Sequence, residues 1–422
     1  MAFPLPDKPS IAVLPFANMS GNPEQAYFCD GITDQIITSL SIIPRLFVIA
    51  RNSTFVYKGK AVKVQKVAED LGVRYVLEGG VQKSEDRVRI TVQLIDAIKG
   101  IHLWSERYDR ELKDLFALQD GIVRQIMTAL QVKLTEGEYA SGVAGSTSNL
   151  KALEYFWRAD DFFFRNSRED NAAARQWAER AIELDPNFAG AWTLLGFTHL
   201  FDVIYGWGNS PAQSMTRSEE CAQKAISINE SFAKALALLG RIRQFQGKYD
   251  DAVKYAEKAV AINPNDPLMM VILAFTIHFG GRFDESIALF KKAMRICPYY
   301  PALYLQLLCP SYLLIGRYQE AIETSELILD RSRKGEINPL YAHIYLAEAY
   351  VGLGELDKAR AQAEEVLKIN PKFSLERDRM LTSYIDPAHK EGRLAALRKA
   401  GLKRGEVIYP DALRHAAYDF EL

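Results

Sequence analysis

The residues of this 422-residue chain that could do covalent or metal chemistry are few and scattered. The six histidines (His102, His199, His278, His343, His389, His415) contain no HExxH and no other close ligand pair, so the spacing that puts two imidazoles on one helix face for zinc is missing. The four cysteines (Cys29, Cys221, Cys297, Cys309) form no CxxC pair and no disulfide ladder, and read as solitary buried thiols suited to a reducing compartment. No GxSxG elbow presents a nucleophilic serine. Gly59-Lys60 lacks the preceding glycine and the following hydroxyl of a phosphate loop. Gly352-Leu-Gly354 falls between two helical patterns rather than after a strand, so it reads as a helix-pair turn and not as a dinucleotide loop. The carboxylates of Glu106-Arg107 and Asp109-Arg110-Glu111 could serve as acids or bases, but a charge run of this kind reads as a solvated approach to a helix. The expectation is no catalytic residue, no cofactor and no metal.

What remains is recognition, and the elements behind it are repeats. Gly247 recurs as Gly281, Tyr249 as Phe283, Ala259 as Ala293 and Pro264 as Pro298, a spacing of 34 residues, with Gly240 answered by Ala274. Small residues at helix contacts and proline after the second helix at this period mark tetratricopeptide repeats, antiparallel helix pairs that bury their apolar faces by stacking. A large side chain at Gly240/Ala274 or Ala252/Ser286 would push paired helices apart, and Gly247 and Gly281 are expected in left-handed turns. Six pairs can be traced. The first ends at Pro186 with Ala174 and Ala181 as contacts; the second opens with Trp192, Leu195 and Gly196 and is stretched by Tyr205–Gln213; the fifth and sixth carry Gly316, Tyr318 and Ala321, then Ala347, Gly354 and Ala359. Beyond Arg377 the pattern breaks, with Gly392–Ala400 expected as a terminal capping helix.

On such a solenoid the inner face is lined by the first helix of each pair. Here that lining is Thr193, Phe197, Arg241, Gln244, Val271, Phe275, His278, Leu305, Cys309, Tyr312, Ile344 and Glu348. It is more apolar and aromatic than a set that clamps a peptide carboxylate, and two readings stand: a groove for an apolar segment or helix of a protein or peptide partner, or ordinary core, covered in part by the N-terminal domain. The stretched turn holds Tyr205 and Trp207, either a contact loop or a tolerated insertion.

The N-terminal part alternates strand and helix patterns. Ser10–Phe16 is a continuous apolar run, Ala17–Pro23 is turn chemistry, Gly31–Leu40 has helical spacing, Leu46–Ala50 is a second buried strand, and Val64–Leu71 is a short helix stopped by Gly72. Strands at Tyr75–Lys83, Val88–Asp96 and Ile101–Tyr108 follow as a meander, closed by a helix over Leu115–Leu134. In the middle strand Val88, Ile90, Val92 and Leu94 alternate with Arg89, Thr91 and Gln93, so one face is buried and the other wet. This divides the chain into an α/β domain at 9–135, a Gly/Ser/Thr-rich linker at 136–149, the solenoid at 150–375, and a capping helix with tail at 376–422. Composition (48% hydrophobic, 25% charged) is that of a soluble globular protein, and a net charge of -1 offers no basic face for nucleic acid or an anionic membrane. The N-terminus has no apolar h-region, and the longest apolar run, Leu268–Phe279, is too short to span a bilayer, so the chain as given is expected to be cytoplasmic, or periplasmic if a membrane span precedes it.

Three blocks carry a resemblance: KPSIAVLPFANMSGNPEQAYFCDGITDQIITSLS, FVIARNSTFVYKGK and LGVRYVLEGGVQKSEDRVRITVQLIDAIKGIHLWSERYDRELKDLFALQD. With the repeats behind them they resemble the TolB-like amino-terminal domain joined to tetratricopeptide repeats that forms the C-terminal half of bacterial class III adenylate/guanylate cyclases and also follows winged-helix domains in transcriptional regulators. The closing SYIDPAHKEGRLAALRKAGL is similar to the end of such cyclases. The resemblance implies an α/β domain akin to the TolB amino-terminal and anticodon-binding folds, followed by an all-α solenoid. It carries over no cyclase residue, because the metal-binding aspartates of those enzymes lie in an upstream domain. The function it implies is a non-enzymatic, cyclase-associated sensory or scaffolding module; a cyclase fragment without its catalytic domain and an envelope adaptor are the alternatives.

Overall fold

Val88, Ile90, Val92 and Leu94 are all fully buried, while Arg89, Thr91 and Gln93 between them face outward or are half-covered, and this strand is the centre of the antiparallel half of the sheet. The sheet order is β3-β1-β4-β5-β6, from β1 (Ser10–Val13), β3 (Phe47–Val48), β4 (Tyr75–Ser84), β5 (Arg87–Asp96) and β6 (Ile101–Glu111). β1 lies parallel between β3 and β4, whereas β4, β5 and β6 form the expected meander, with a register shift at Leu94/Ile95. β1 stops before Pro15, which cannot donate to a ladder. A short β2 (Ala17–Asn18) pairs parallel with β4 inside the stretch whose composition reads as a turn. The edge strand β6 buries only Tyr108 and is studded with charge, which discourages pairing with another chain. Asp109 on it accepts from Arg87 and Arg89 (2.7 Å each), and those hydrogen bonds hold its carboxyl down at about 2, so it is an ion-pair anchor and not a base.

The computed structural model of the chain describes residues 3–132, 147–165, 167–375 and 384–403. Helices α1 (Ala26–Ser41), α2 (Arg51–Thr54), α3 (Val64–Leu71) and α4 (Leu115–Ala129) accompany the sheet, α1 starting a turn earlier than its apolar spacing implies. The six helix pairs are α5 (Leu150–Phe163) with α6 (Arg168–Leu184), α7 (Ala189–Tyr205) with α8 (Pro211–Ile228), α9 (Ala233–Phe245) with α10 (Tyr249–Ile262), α11 (Pro267–Phe279) with α12 (Phe283–Ile296), α13 (Leu303–Leu314) with α14 (Tyr318–Arg333), and α15 (Leu340–Gly352) with α16 (Leu356–Ile369). A further helix, α17, covers Pro387–Lys399. The expected linker up to residue 146 and the tail from 404 lie outside the described residues.

Gly247 and Gly281 take φ of 71° and 81°, the left-handed turn expected of them. The small contact residues also do polar work. Ser218 donates to the Gly196 carbonyl at 2.8 Å, and Ser286 donates to the Ala274 carbonyl at 2.7 Å, so a hydroxyl on the second helix fastens the close approach to the first.

Two compact units divide the chain. The first joins 1–242, 254–269 and 295–299; the second joins 243–253, 270–294 and 300–422. In the first, one core runs from β1 and β4 through Ile32, Ile36 and Leu40 of α1 to Leu153 and Trp157 of α5 and on to Phe188. Residues from the ends of the repeat pairs also fasten to it. The Asn265 amide donates to the carbonyls of Ser41 and Ile43 (3.0 Å each), satisfying the end of α1, and Arg295 donates to the carbonyls of Leu71 and Gly72 behind α3. The N-terminal sheet is thereby fastened to repeat segments more than 220 residues away in sequence.

Candidate functional site

In the first unit, α1 turns Ile32, Ile36 and Leu40 inward and leaves Asp34, Gln35, Thr38 and Ser39 half-buried on its other side. Opposite that side stand Phe156, Trp157, Asp160 and Phe163 of α5, with Thr193, Leu194 and Phe197 of α7, and Lys234 at the start of α9. They enclose a cleft of about 190 Å³, with Phe164 and Leu268 at its exposed rim. Its aromatic walls are braced: Phe156 packs on Phe188 at 5.0 Å, Phe163 on Phe197 at 6.3 Å, and the Arg51 guanidinium lies 4.0 Å over Phe164.

The charges of the cleft are mutually balanced. Arg51 lies 3.6 Å from Asp34. Burial, and then the neighbouring Asp34 carboxylate, pushes the Asp160 carboxyl up to about 6. Burial opposes the charge on Lys234, but Asp34, Asp160 and Asp266 together hold its ammonium above the ordinary lysine value. Because the folded chain binds the Asp160 proton more tightly than the unfolded chain, the stability this contributes is complete below the unfolded carboxylate value near 4 and lost as pH rises through about 6. Asp160→Asn is accordingly expected to flatten the pH dependence of the urea midpoint between those values and to stabilise the protein by about 1 kcal/mol at neutral pH. Urea titrations at both ends of the range check it; an unchanged slope contradicts the assignment.

Of the residues expected to line a groove, Thr193 and Phe197 lie in this cleft and Arg241 belongs to the same unit, while Gln244, Val271, Phe275, His278, Leu305, Tyr312, Ile344 and Glu348 belong to the second. There they are not an open surface. Gln244, Val271, Leu305, Cys309, Tyr312 and Ile344 are buried, Phe275 is half-buried against His278 and Phe279, and the chain's own C-terminal segment meets His278 and Glu348. Tyr384 makes a 3.0 Å hydrogen bond to His278 Nε2, whose Nδ1 is held by Ser311 at 2.8 Å; Ile385 donates to the Phe279 carbonyl; and Arg393 lies 3.8 Å from Glu348, both nearly fully buried. Thus α17 packs along α15, on the side that first helices present, and does not simply close the last pair. Its apolar Leu394 and Leu397 make it a core element, a role that sequence position alone does not disclose.

The loop residues Tyr205 and Trp207 stack on each other at 4.6 Å, with Tyr205 exposed. All four cysteines are buried and free, and burial pushes their thiols up to about 12 (Cys29, Cys221, Cys309) and about 11 (Cys297), which removes them as nucleophiles. Among the described residues no group of three or more His, Cys, Asp or Glu side chains is placed to hold a metal, and no helix is long and apolar enough to cross a membrane. Asp34, Trp157, Asp160 and Lys234 escape sequence reasoning because they converge from three separate helices. The one local hint is Asp160, an acid set among Trp157, Phe163 and Phe164 at helical spacing.

The chain joins an N-terminal mixed-sheet domain to a run of helix pairs that includes tetratricopeptide repeats. Residues 233–266 and 340–373 match the tetratricopeptide repeat, and residues 7–133 match the second domain of HilA/YgeH-like transcriptional regulators. A Rhizobium meliloti (strain 1021) protein named "Putative adenylate cyclase 3" is 44% identical over 248 residues, which are 59% of this chain and 42% of that protein, so the match spans less than half of the relative's length. Among solved structures, Pseudomonas aeruginosa pilF is similar over 55% of this chain and 97% of its own, with a TM-score of 0.41 and 15% identity. The Cut9–Hcn1 hetero-tetramer of the APC/C is similar over 68% of this chain and 52% of that one, with a TM-score of 0.45 and 17% identity.

Proposed function

We propose that the chain is a non-enzymatic regulatory scaffold of a bacterial signalling protein, which binds a protein partner by taking one apolar side chain into the cleft between α1, α5 and α7. The observation that carries this is the size and lining of that cleft. At about 190 Å³ it is smaller than the ~300–1,000 Å³ of ordinary small-molecule sites, yet it is walled by aromatic rings and rimmed by exposed Phe164 and Leu268. An anchor residue of a partner seated in such a pocket is the common arrangement of a binding hot spot. The match to a regulator's second domain and the identity shared with a named adenylate cyclase support a regulatory setting. In this reading the sheet domain (9–135) is TolB-like and akin to anticodon-binding folds, 136–149 links it to the repeats of 150–375, and neither nucleic acid nor a membrane is the target.

Phe164→Ala/Leu268→Ala tests the cleft, since both side chains are exposed (46% and 39%) and their loss spares the core. The variant is expected to keep its melting profile and to lose proteins that the intact chain retains in a pull-down. Retention of the same partners by the variant moves the working surface elsewhere. Incubation with ATP and GTP is expected to yield no cyclic nucleotide; turnover by the chain alone overturns the scaffold reading.

A further inference from the structure

A second cavity, separate from the aromatic cleft, lies where the second repeat departs from its period. The extra residues after α7 form a loop over Gly206–Ser210 that is pinned rather than slack. The backbone amides of Trp207 and Gly208 both donate to the Asp202 carbonyl (3.0 and 3.4 Å), and a side chain at Gly208 would meet Asp202 Cβ at 3.1 Å. Asp202 is itself fixed by Asn171, which donates to it at 3.0 Å, and by Arg175, which pairs with it at 2.5 Å while also reaching the Thr198 carbonyl. Together with the start of α6 and the start of α8, this encloses about 450 Å³, within the ~300–1,000 Å³ of small-molecule sites.

The lining is polar and cationic. Arg168, Arg175 and Arg217 contribute three guanidinium groups, and Asp202 is the one carboxylate among the lining residues. Arg217 also pairs with Glu220 outside the cavity, and Arg168 is exposed at its mouth. The amino end of α8, capped by Ser210, adds the positive end of a helix dipole, and Trp207 supplies a flat apolar wall. His199, also in the lining, is pushed down to about 4 by burial and then by Arg175, so the site as it stands resists a further positive charge.

We propose that this cavity binds the phosphate of a small phosphorylated molecule, held by Arg168 and Arg217 with Arg175 fixed behind them. A dianionic phosphoryl group matches the paired forks of Arg168 and Arg217 better than a monocarboxylate does, and the planar guanidinium suits its oxygens. The inference is independent of the partner cleft: the two cavities share no lining residue.

The test is isothermal titration of the full chain with inorganic phosphate, adenosine monophosphate and adenosine, alongside Arg168→Gln/Arg217→Gln, two exposed positions whose change spares the fold. Binding of phosphate or the monophosphate, weakened at least about tenfold in the variant, with the imidazole pKa of His199 rising on saturation, is the expected result. Absence of binding by both anions at millimolar concentration overturns the proposal. So does equal binding by the variant, or adenosine binding as tightly as its monophosphate.

Discussion

Replacing Gly31 by alanine is expected to lower the stability of the first unit by about 3 kcal/mol, a large effect for one methyl group. A Cβ at this position would lie 2.2 Å from Trp157 Cδ2 and 2.4 Å from Cγ, well inside contact distance. The indole cannot step aside: it is only 5% exposed and packs edge-on against Phe28 at 5.2 Å. Gly31 is therefore the close-approach point between α1 and α5, and through it between the sheet and the first repeat. Urea denaturation followed by tryptophan fluorescence measures the loss, and Gly31→Ala/Trp157→Leu, which opens the space, should recover part of it in a double-mutant cycle. A loss below about 1 kcal/mol for the single variant would mean that the two helices separate readily, and the rigid seating of the sheet would then be wrong.

Arg393→Met is expected to cost the second unit about 3 kcal/mol and to loosen the C-terminal segment from its place along α15. Arg393 and Glu348 are 6% and 7% exposed, so removing the cation leaves a carboxylate in a nearly dry site. Glu348→Gln/Arg393→Met, which removes both charges, should recover much of that loss. Hydrogen exchange over 384–403 is the direct readout, with faster exchange in the single variant than in the double. Acid should act on the same contact. Burial, then Arg393 and His389, pushes the His278 imidazole down to about 3, so the folded chain refuses a proton that the unfolded chain takes near 6.5. The stability held by neutral His278 is complete above that unfolded value and is lost progressively as pH falls from about 6.5 towards 3. Exchange over 384–403 that is indifferent to both Arg393→Met and mild acid would show that the segment is not held by these contacts.

Much of this architecture is readable from local chemistry. The alternation in β5 reports a sheet with one buried face, and the recurring glycines, small residues and prolines set the helix pairs and their turns, because each signal is a spacing along the chain and needs no knowledge of a distant partner. Where local chemistry misleads, a distant partner is responsible. Ala17–Asn18 is turn-like in composition and becomes a strand because β4 offers free hydrogen-bonding groups beside it. The first-helix residues of the second unit are apolar enough to suggest a groove, yet His278 and Glu348 are claimed by Tyr384 and Arg393 from the far end of the chain.

Local pattern is enough to read the class of structure, a mixed-sheet domain followed by tetratricopeptide helix pairs. Which surfaces remain open is settled by packing between distant elements. Burial depends on what packs against a face, and at the cleft of the first unit those faces come from α1, α5, α7 and Lys234, elements that no periodicity links. The cationic cavity at Gly206–Ser210 has the same origin: a stretched turn looks like a tolerated insertion until Asp202, itself held by Asn171 and Arg175, fixes Trp207 and Gly208 into the wall of a cavity.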